Sequence, residues 1–256
     1  MSLINKLFVE TGTIKQVPDK IFVNGKPIYE VYADGKLVWK KIQDIEINKI
    51  NMHSSLQQII QNRRIPKHRK IRFIVPRNRT VSTIKTGNIS NYDVTLVIEA
   101  GARVEGLKNQ PGLLILSPIK LTNHGTIAGA GGQGGKGGDG QTYIYKYQDR
   151  HIKARGGAGG AGGDGEYYNS KSKSGAKGGP AAPELTKYPS KIPRKPNYGG
   201  NGGHGGLFGQ PGQKGKPGGG NDPKQGEDGK QGLPAIIGSA KLKGGSKTGK
   251  LEGEIK

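Results

Sequence analysis

The sequence predicts a mainly β and irregular protein. A short N-terminal β-meander and a β-solenoid-like domain precede a bundle of glycine-rich polyproline II (polyglycine II) helices. Three observations carry this. Glycine recurs at every third position, often doubled, in AGAGGQGGKGGDG (128–140), GGAGGAGGDG (156–165) and GGNGGHGG (199–206). Apolar residues repeat in matching sets upstream of those runs. Two Gly-containing turns punctuate an alternating stretch near the start.

The first unit is 1–42. Between Lys20 and Lys41, Ile21 and Val23 precede Asn24–Gly25, while Ile28, Val31 and Tyr32 precede Asp34–Gly35, with Leu37 and Trp39 beyond. Asn-Gly and Asp-Gly between alternating runs are hairpin signals. The expectation is a three-stranded antiparallel meander, an attachment module or simply a small cap.

The second unit, 43–127, begins as linker and helix. Ser54 or Ser55 can cap Leu56–Arg64, which sets Leu56, Ile59 and Ile60 on one face, and Pro66 ends it. A repeat follows. Phe73, Val75 and Val81, then Leu96, Ile98 and Val104, then Ile119, Leu121 and Ile127 share one internal spacing and recur every 23 residues. Strand, turn and one further inward residue at such a period describe a solenoid coil.

The third unit, 128–238, holds most of the 46 glycines. Glycine at every third position fits a backbone of three residues per turn and ~3.1 Å rise with no internal hydrogen bonds. Such helices gain partners only by packing side by side, which bare glycine faces permit. A disordered Gly-rich linker is the rival reading. The interruptions argue against it, because they carry aromatics and prolines. The fourth unit, 239–256, reads as a C-terminal tail.

Net charge is +22, and Arg63 to Arg79 contains eight bases without an acid. A basic surface favours anionic partners. Cysteine is absent, which excludes disulfides and thiolate metal sites. Nothing resembles a signal peptide or a membrane span, so synthesis in a cytoplasm is expected, without membrane insertion. Gly129, Gly131 and Gly134 match a dinucleotide-binding spacing, but no apolar helix follows. His53, His68, His124, His151 and His204 lack ligand spacing. No nucleophile–His–acid set can be assembled, and a single Arg-Gly-Gly argues against an RNA-binding segment. No enzyme activity, cofactor, metal or nucleic-acid partner is therefore expected.

Seven of the ten tyrosines interrupt the glycine runs, in Gln141–Arg155, Glu166–Ser174 and Glu184–Tyr198. Tyrosine offers large, fairly rigid contact area with a polar tip, suited to recognition. It also suits a lid over bare backbone. If successive runs alternate in direction, Gln141–Arg155 and Glu184–Tyr198 share the end away from the solenoid, and Glu166–Ser174 lies at the near end. The candidate binding residues are then Tyr143, Tyr145, Tyr147, His151, Tyr188, Arg194 and Tyr198.

These residues bring a resemblance into view. VTLVIEAGARVEG (Val94–Gly106) after RFIVPRNRTVST, the strand LTNHGTIAGAGGQGG (Leu121–Gly135), and GGX runs separated by aromatic loops resemble the distal receptor-recognising adhesins of T-even-like phage long tail fibres. The likeness spans about 70–235; residues 1–42 do not match that family's usual N-terminus. It implies a polyglycine II bundle in a virion. Its loops would bind a host outer-membrane protein or lipopolysaccharide, with another tail fibre or tail tip protein as partner and no catalysis. The alternative is a structural tail component that joins virion proteins without touching a receptor.

Overall fold

The computed structural model of the chain describes residues 6–9, 21–23, 26–28, 30–33, 36–48, 55–67, 69–147, 150–180, 198–220, 222–246 and 248–256. It is mostly β, with a β-solenoid of about three turns and little helix. Three sheets form the solenoid. The first contains, in spatial order, Lys120–Asn123, Asp93–Ile98, Lys70–Val75 and Ile42–Glu46. The second contains Lys250–Glu252, Thr126–Ala128, Arg103–Glu105 and Thr80–Ser82. The third contains Ile236–Ile237, Leu113–Leu114 and Ile84–Lys85. Every pairing in them is parallel, as rung stacked on rung requires.

Strand alternation turns one set of side chains inward. Phe73, Val75, Val81 and Ile84 of one rung meet Leu96, Ile98, Val104 and Leu113 of the next, all fully buried. Ile119, Leu121 and Ile127 are buried with them, as the repeat predicts.

The repeat of 23 holds between the first two rungs, where Phe73 faces Leu96, Val75 faces Ile98 and Val81 faces Val104. It fails at the next step on the first sheet. Leu121 stacks on Leu96 rather than on Ile98, and Ile98 meets Asn123. The cause is a shorter corner, in which His124 and Gly125 replace the longer link of the earlier rungs. A Cβ on Gly125 would lie 2.4 Å from the Ala102 carbonyl oxygen, so only glycine turns there. A slip of two residues keeps the same side chains inward, so the buried set is right although the register is not. Asn123 is thereby buried at the corner, and its Oδ1 accepts the Gly125 N–H at 3.1 Å.

Both ends extend beyond the predicted repeat. Ile42–Glu46, expected as linker, adds a strand beside Lys70–Val75 and buries Ile45; Ile47 just beyond it is buried as well. The helix is Leu56–Asn62, with Ser55 and Gln58 forming a capping box. Its buried Leu56 and Ile60 close this end, and the Gln57 N–H donates to the Thr86 oxygen at 3.1 Å. Residues 239–256, expected as a tail, lie along the opposite end as a further rung. Leu121 and Asn123 donate to the Gly244 and Ser246 oxygens, Lys250–Glu252 pairs with Thr126–Ala128, and Ile255 bridges to Ile236.

The predicted single meander is two sheets. Ile21–Val23 pairs antiparallel with Lys26–Ile28. Glu30–Ala33 pairs antiparallel with Lys36–Lys40 and parallel with Lys6–Val9. Lys6–Val9 occupies the edge that the meander would have given to Ile21–Val23. The two turn dipeptides lie outside the described residues.

The glycine region is an excursion from the third rung. It leaves after Ala128 and returns as Ile236–Ile237, which pairs with Leu113–Leu114. Within it, hydrogen bonds advance three residues at a time. Gly131, Gly134, Gly137 and Gly140 donate to Glu166, Gly163, Gly160 and Gly157, so these two runs are antiparallel. Gly132, Gly135, Gly138 and Gln141 donate to Gln210, Gln213, Lys216 and Gly219, a parallel pair. The first run also accepts from Gly200, Gly203 and Gly206, and from Lys224, Glu227, Lys230 and Leu233. Four neighbouring runs therefore surround it. Run 199–206 does not fuse with run 209–219, because the chain reverses at Leu207–Gly209, with Gly209 at φ +66°.

Candidate functional site

The ladders fix where the described interruptions lie. Gly129 and Gly140 are opposite ends of one run, and Gly129 donates to Glu252 of the solenoid at 2.9 Å. The Gly140 end is therefore the far end. There the chain makes an antiparallel hairpin, Tyr143–Tyr147 with Arg150–Ala154. Gly179 and Gly199 also lie at this end, bonded to each other at 3.0 Å. The turn at 220–223 is also there, with the Asp222 N–H donating to Gln141 Oε1 at 3.0 Å.

Of the candidate binding residues, Tyr143, Tyr145 and Tyr147 share one register set of the hairpin, opposite Ala154, Ile152 and Arg150. His151 lies opposite Lys146, in the alternate set. Tyr198 is 52% exposed, and its carbonyl accepts the Gly219 N–H at 2.8 Å. Tyr188 and Arg194 lie outside the described residues. The end also has a polar brace that sequence reading missed. Asp139 accepts from the Gly159 N–H at 3.0 Å and from Lys224 Nζ at 3.4 Å, linking three runs. Its only sequence signal is a carboxylate at the third position of a GGX triplet.

The near end is built differently. Tyr167 pairs with Ser170 in a tight turn, and the Tyr168 N–H donates to the Gly106 oxygen of the solenoid at 2.9 Å. Lys108 sits 6.0 Å from the Tyr167 ring and bonds Asp164 at 2.8 Å. Arg103 lies 5.9 Å from the Phe208 ring and bonds Glu105 and Glu252 at 2.8 and 3.1 Å. Glu166–Ser174 is thus held against the base, as the alternation predicts. A groove of about 480 Å³ at this junction is lined by Arg103, Glu105, Glu166, Lys171, Phe208 and Glu252, among others. Its charges are matched internally, Lys171 with Glu166 and Arg103 with Glu252. The basic block Arg63–Arg79 is remote from the loops, on the helix end and first rung, where Arg72 forms a bidentate pair with Asp44.

Among the described residues, two carboxylates titrate low. Burial works to raise the pKa of Glu252, but hydrogen bonds from Lys250 and Arg103 and their charges outweigh it and hold it below the usual value. Asp139 is held low first by the Gly159 N–H and then by Lys224. A depressed folded pKa contributes stability that is complete above the unfolded value, about 4.3 for Glu. It is lost as pH falls through the folded value. The melting temperature should fall from about pH 5 downward, and Glu252→Gln should flatten part of that fall while lowering stability at neutral pH. A pH series of melting curves checks this; parallel curves for parent and variant would contradict it.

No helix among the described residues is long and apolar enough to cross a membrane. No protein-family model matches the chain, and no curated protein matches it. Among solved structures it is similar to the gp37-gp38 adhesin tip complex of the bacteriophage S16 long tail fibre. Identity is 18%, with 85% of this chain and 83% of that chain covered, at a TM-score of 0.45.

Proposed function

We propose that the chain is a phage tail fibre or tail tip adhesin whose glycine region is a polyglycine II bundle. The bundle presents loops to a receptor on the host surface, an outer-membrane protein or lipopolysaccharide. The solenoid is the base of the bundle, residues 1–42 attach to another tail protein, and the chain acts in the virion by binding rather than by catalysis. One observation supports this above the others. The three-residue ladders bring the paired strands Tyr143–Tyr147 and Arg150–Ala154, the bonded Gly179 and Gly199, and Gly219 with Asp222 to one end, away from the base. Aromatic residues with cationic neighbours in a cluster suit porin loops or anionic sugars.

The experiment is a pair of loop replacements, with folding checked by melting temperature. Polar sequence in place of 141–155 and 184–198 should reduce binding to host cells about tenfold or more, because a few aromatic anchors carry most interface energy. The same exchange at 166–174 should leave binding intact. Loss of binding in the second variant alone would move recognition to the near end. If the parent neither binds cells nor blocks adsorption, the adhesin reading falls and a joining role between virion proteins takes its place.

A further inference from the structure

The two ends of the solenoid are finished differently. At the helix end, Ile45, Ile47, Leu56 and Ile60 are at most 2% exposed. At the other end the inward positions are Leu242, Leu251 and Ile255. The first two are only partly buried and Ile255 is 42% exposed.

The backbone of this last rung is equally unfinished. The Lys250 N–H donates to the Gly125 oxygen, and the Glu252 oxygen accepts from the Gly129 N–H. In a parallel ladder, alternate residues bond to alternate sides. Lys250 and Glu252 therefore serve Thr126–Ala128, and the N–H and C=O of Leu251 face away from the solenoid. Glu254 accepts from the Ala235 N–H, and Lys256 bonds Ile236 and Gly238, so Ile255 likewise turns its peptide groups outward. Apolar side chains beside unpaired peptide groups are what an extended chain needs to add to a sheet edge.

Charge selects the partner. Lys241 and Lys243 border this end and form no ion pair among the described residues, beside Lys250 and Lys256, which do. Its two acids are already paired, Glu252 with Lys250 and Arg103, and Glu254 with Lys256. A second copy would set lysine against lysine in a chain of net charge +22, and like charges opposite one another destabilise a strand pair. Lysine on an open edge is also a device against self-pairing.

We infer that this end of the solenoid is a docking edge for an extended, acidic segment of another protein, which adds as the next rung. The inference stands apart from cell binding, because the edge belongs to the solenoid and not to the far loops.

The probes are two ten-residue synthetic peptides, alternating valine with glutamate or valine with lysine. They are read by fluorescence anisotropy and by amide hydrogen exchange of the full chain. The glutamate peptide should bind, slow exchange at Leu251 and Ile255, and weaken with added salt. The lysine peptide should not bind. Ile255→Glu should weaken binding about tenfold or more. Lys243→Glu, an exposed change that spares the fold, should weaken it in a salt-dependent way. Equal binding of both peptides, no binding of the glutamate peptide, or protection elsewhere would overturn the inference. Concentration-dependent dimerisation abolished by Ile255→Glu would also overturn it, by assigning the edge to a second copy.

Discussion

Replacing Gly159 by valine is expected to destroy the glycine region. A Cβ at this position would sit 1.7 Å from the Gly137 carbonyl oxygen and 2.4 Å from its carbon. Both are backbone atoms of the run with four neighbours, so no side chain can swing aside. Gly137 also donates to Gly160 at 2.8 Å, so the intruding side chain forces apart the ladder that joins the two runs. Overpacking an ordinary core costs about 1–3 kcal/mol; here the whole cost falls on hydrogen-bonded backbone and should exceed that range. Gly179→Ala is the matched control. Its Cβ would meet Ala158 atoms at 3.5 Å, ordinary contact, so the change should stay within about half a kcal/mol. Thermal unfolding distinguishes the two variants. An unchanged melting curve for Gly159→Val would mean that the runs do not pack as described.

The second large effect belongs to the solenoid. Ile98 is fully buried, stacked between Val75 and Asn123, and its Cγ2 lies against Gly125 at the tight corner. Ile98→Ala should cost ~2–5 kcal/mol, because flanking rungs are held by backbone ladders and cannot collapse into the space. Urea denaturation measures it. A loss below about half a kcal/mol, the scale of a surface change, would show that the aliphatic column is not the core.

The inward residues of the solenoid were legible because alternation and spacing are local. Phe73, Leu96 and Leu121 could be read as buried from sequence. Their partners could not be read fully, since the corner at Gly125 shifts the register without changing which faces point inward. Ile42–Glu46 was overlooked because a single strand carries no period of its own. Lys250–Glu252 was overlooked because its partner, Thr126–Ala128, precedes the whole glycine region. The alternation of the runs and the near-end position of Tyr167 and Tyr168 followed from short connections between runs. The split of Tyr143 and His151 into different register sets did not. It depends on the pairing register, Tyr147 opposite Arg150, which composition does not specify.

The return of the chain at Ile236 governs the order in which the protein can form. A solenoid ordinarily grows rung by rung as neighbours become available. Here Leu113–Leu114 meets its third-rung partner only after the glycine excursion has been made, and the last rung, through Leu251, comes later still. Closing so long a loop costs more chain entropy than a local turn, unless the glycine ladders first bring Ala128 and Ile236 together. On a ribosome, the early rungs and the helix can stack as they emerge, while completion waits on the glycine region. An error in that region therefore leaves the solenoid open at its far side, so a chain with a misfolded glycine region is also one whose solenoid stays incomplete and exposed to proteolysis.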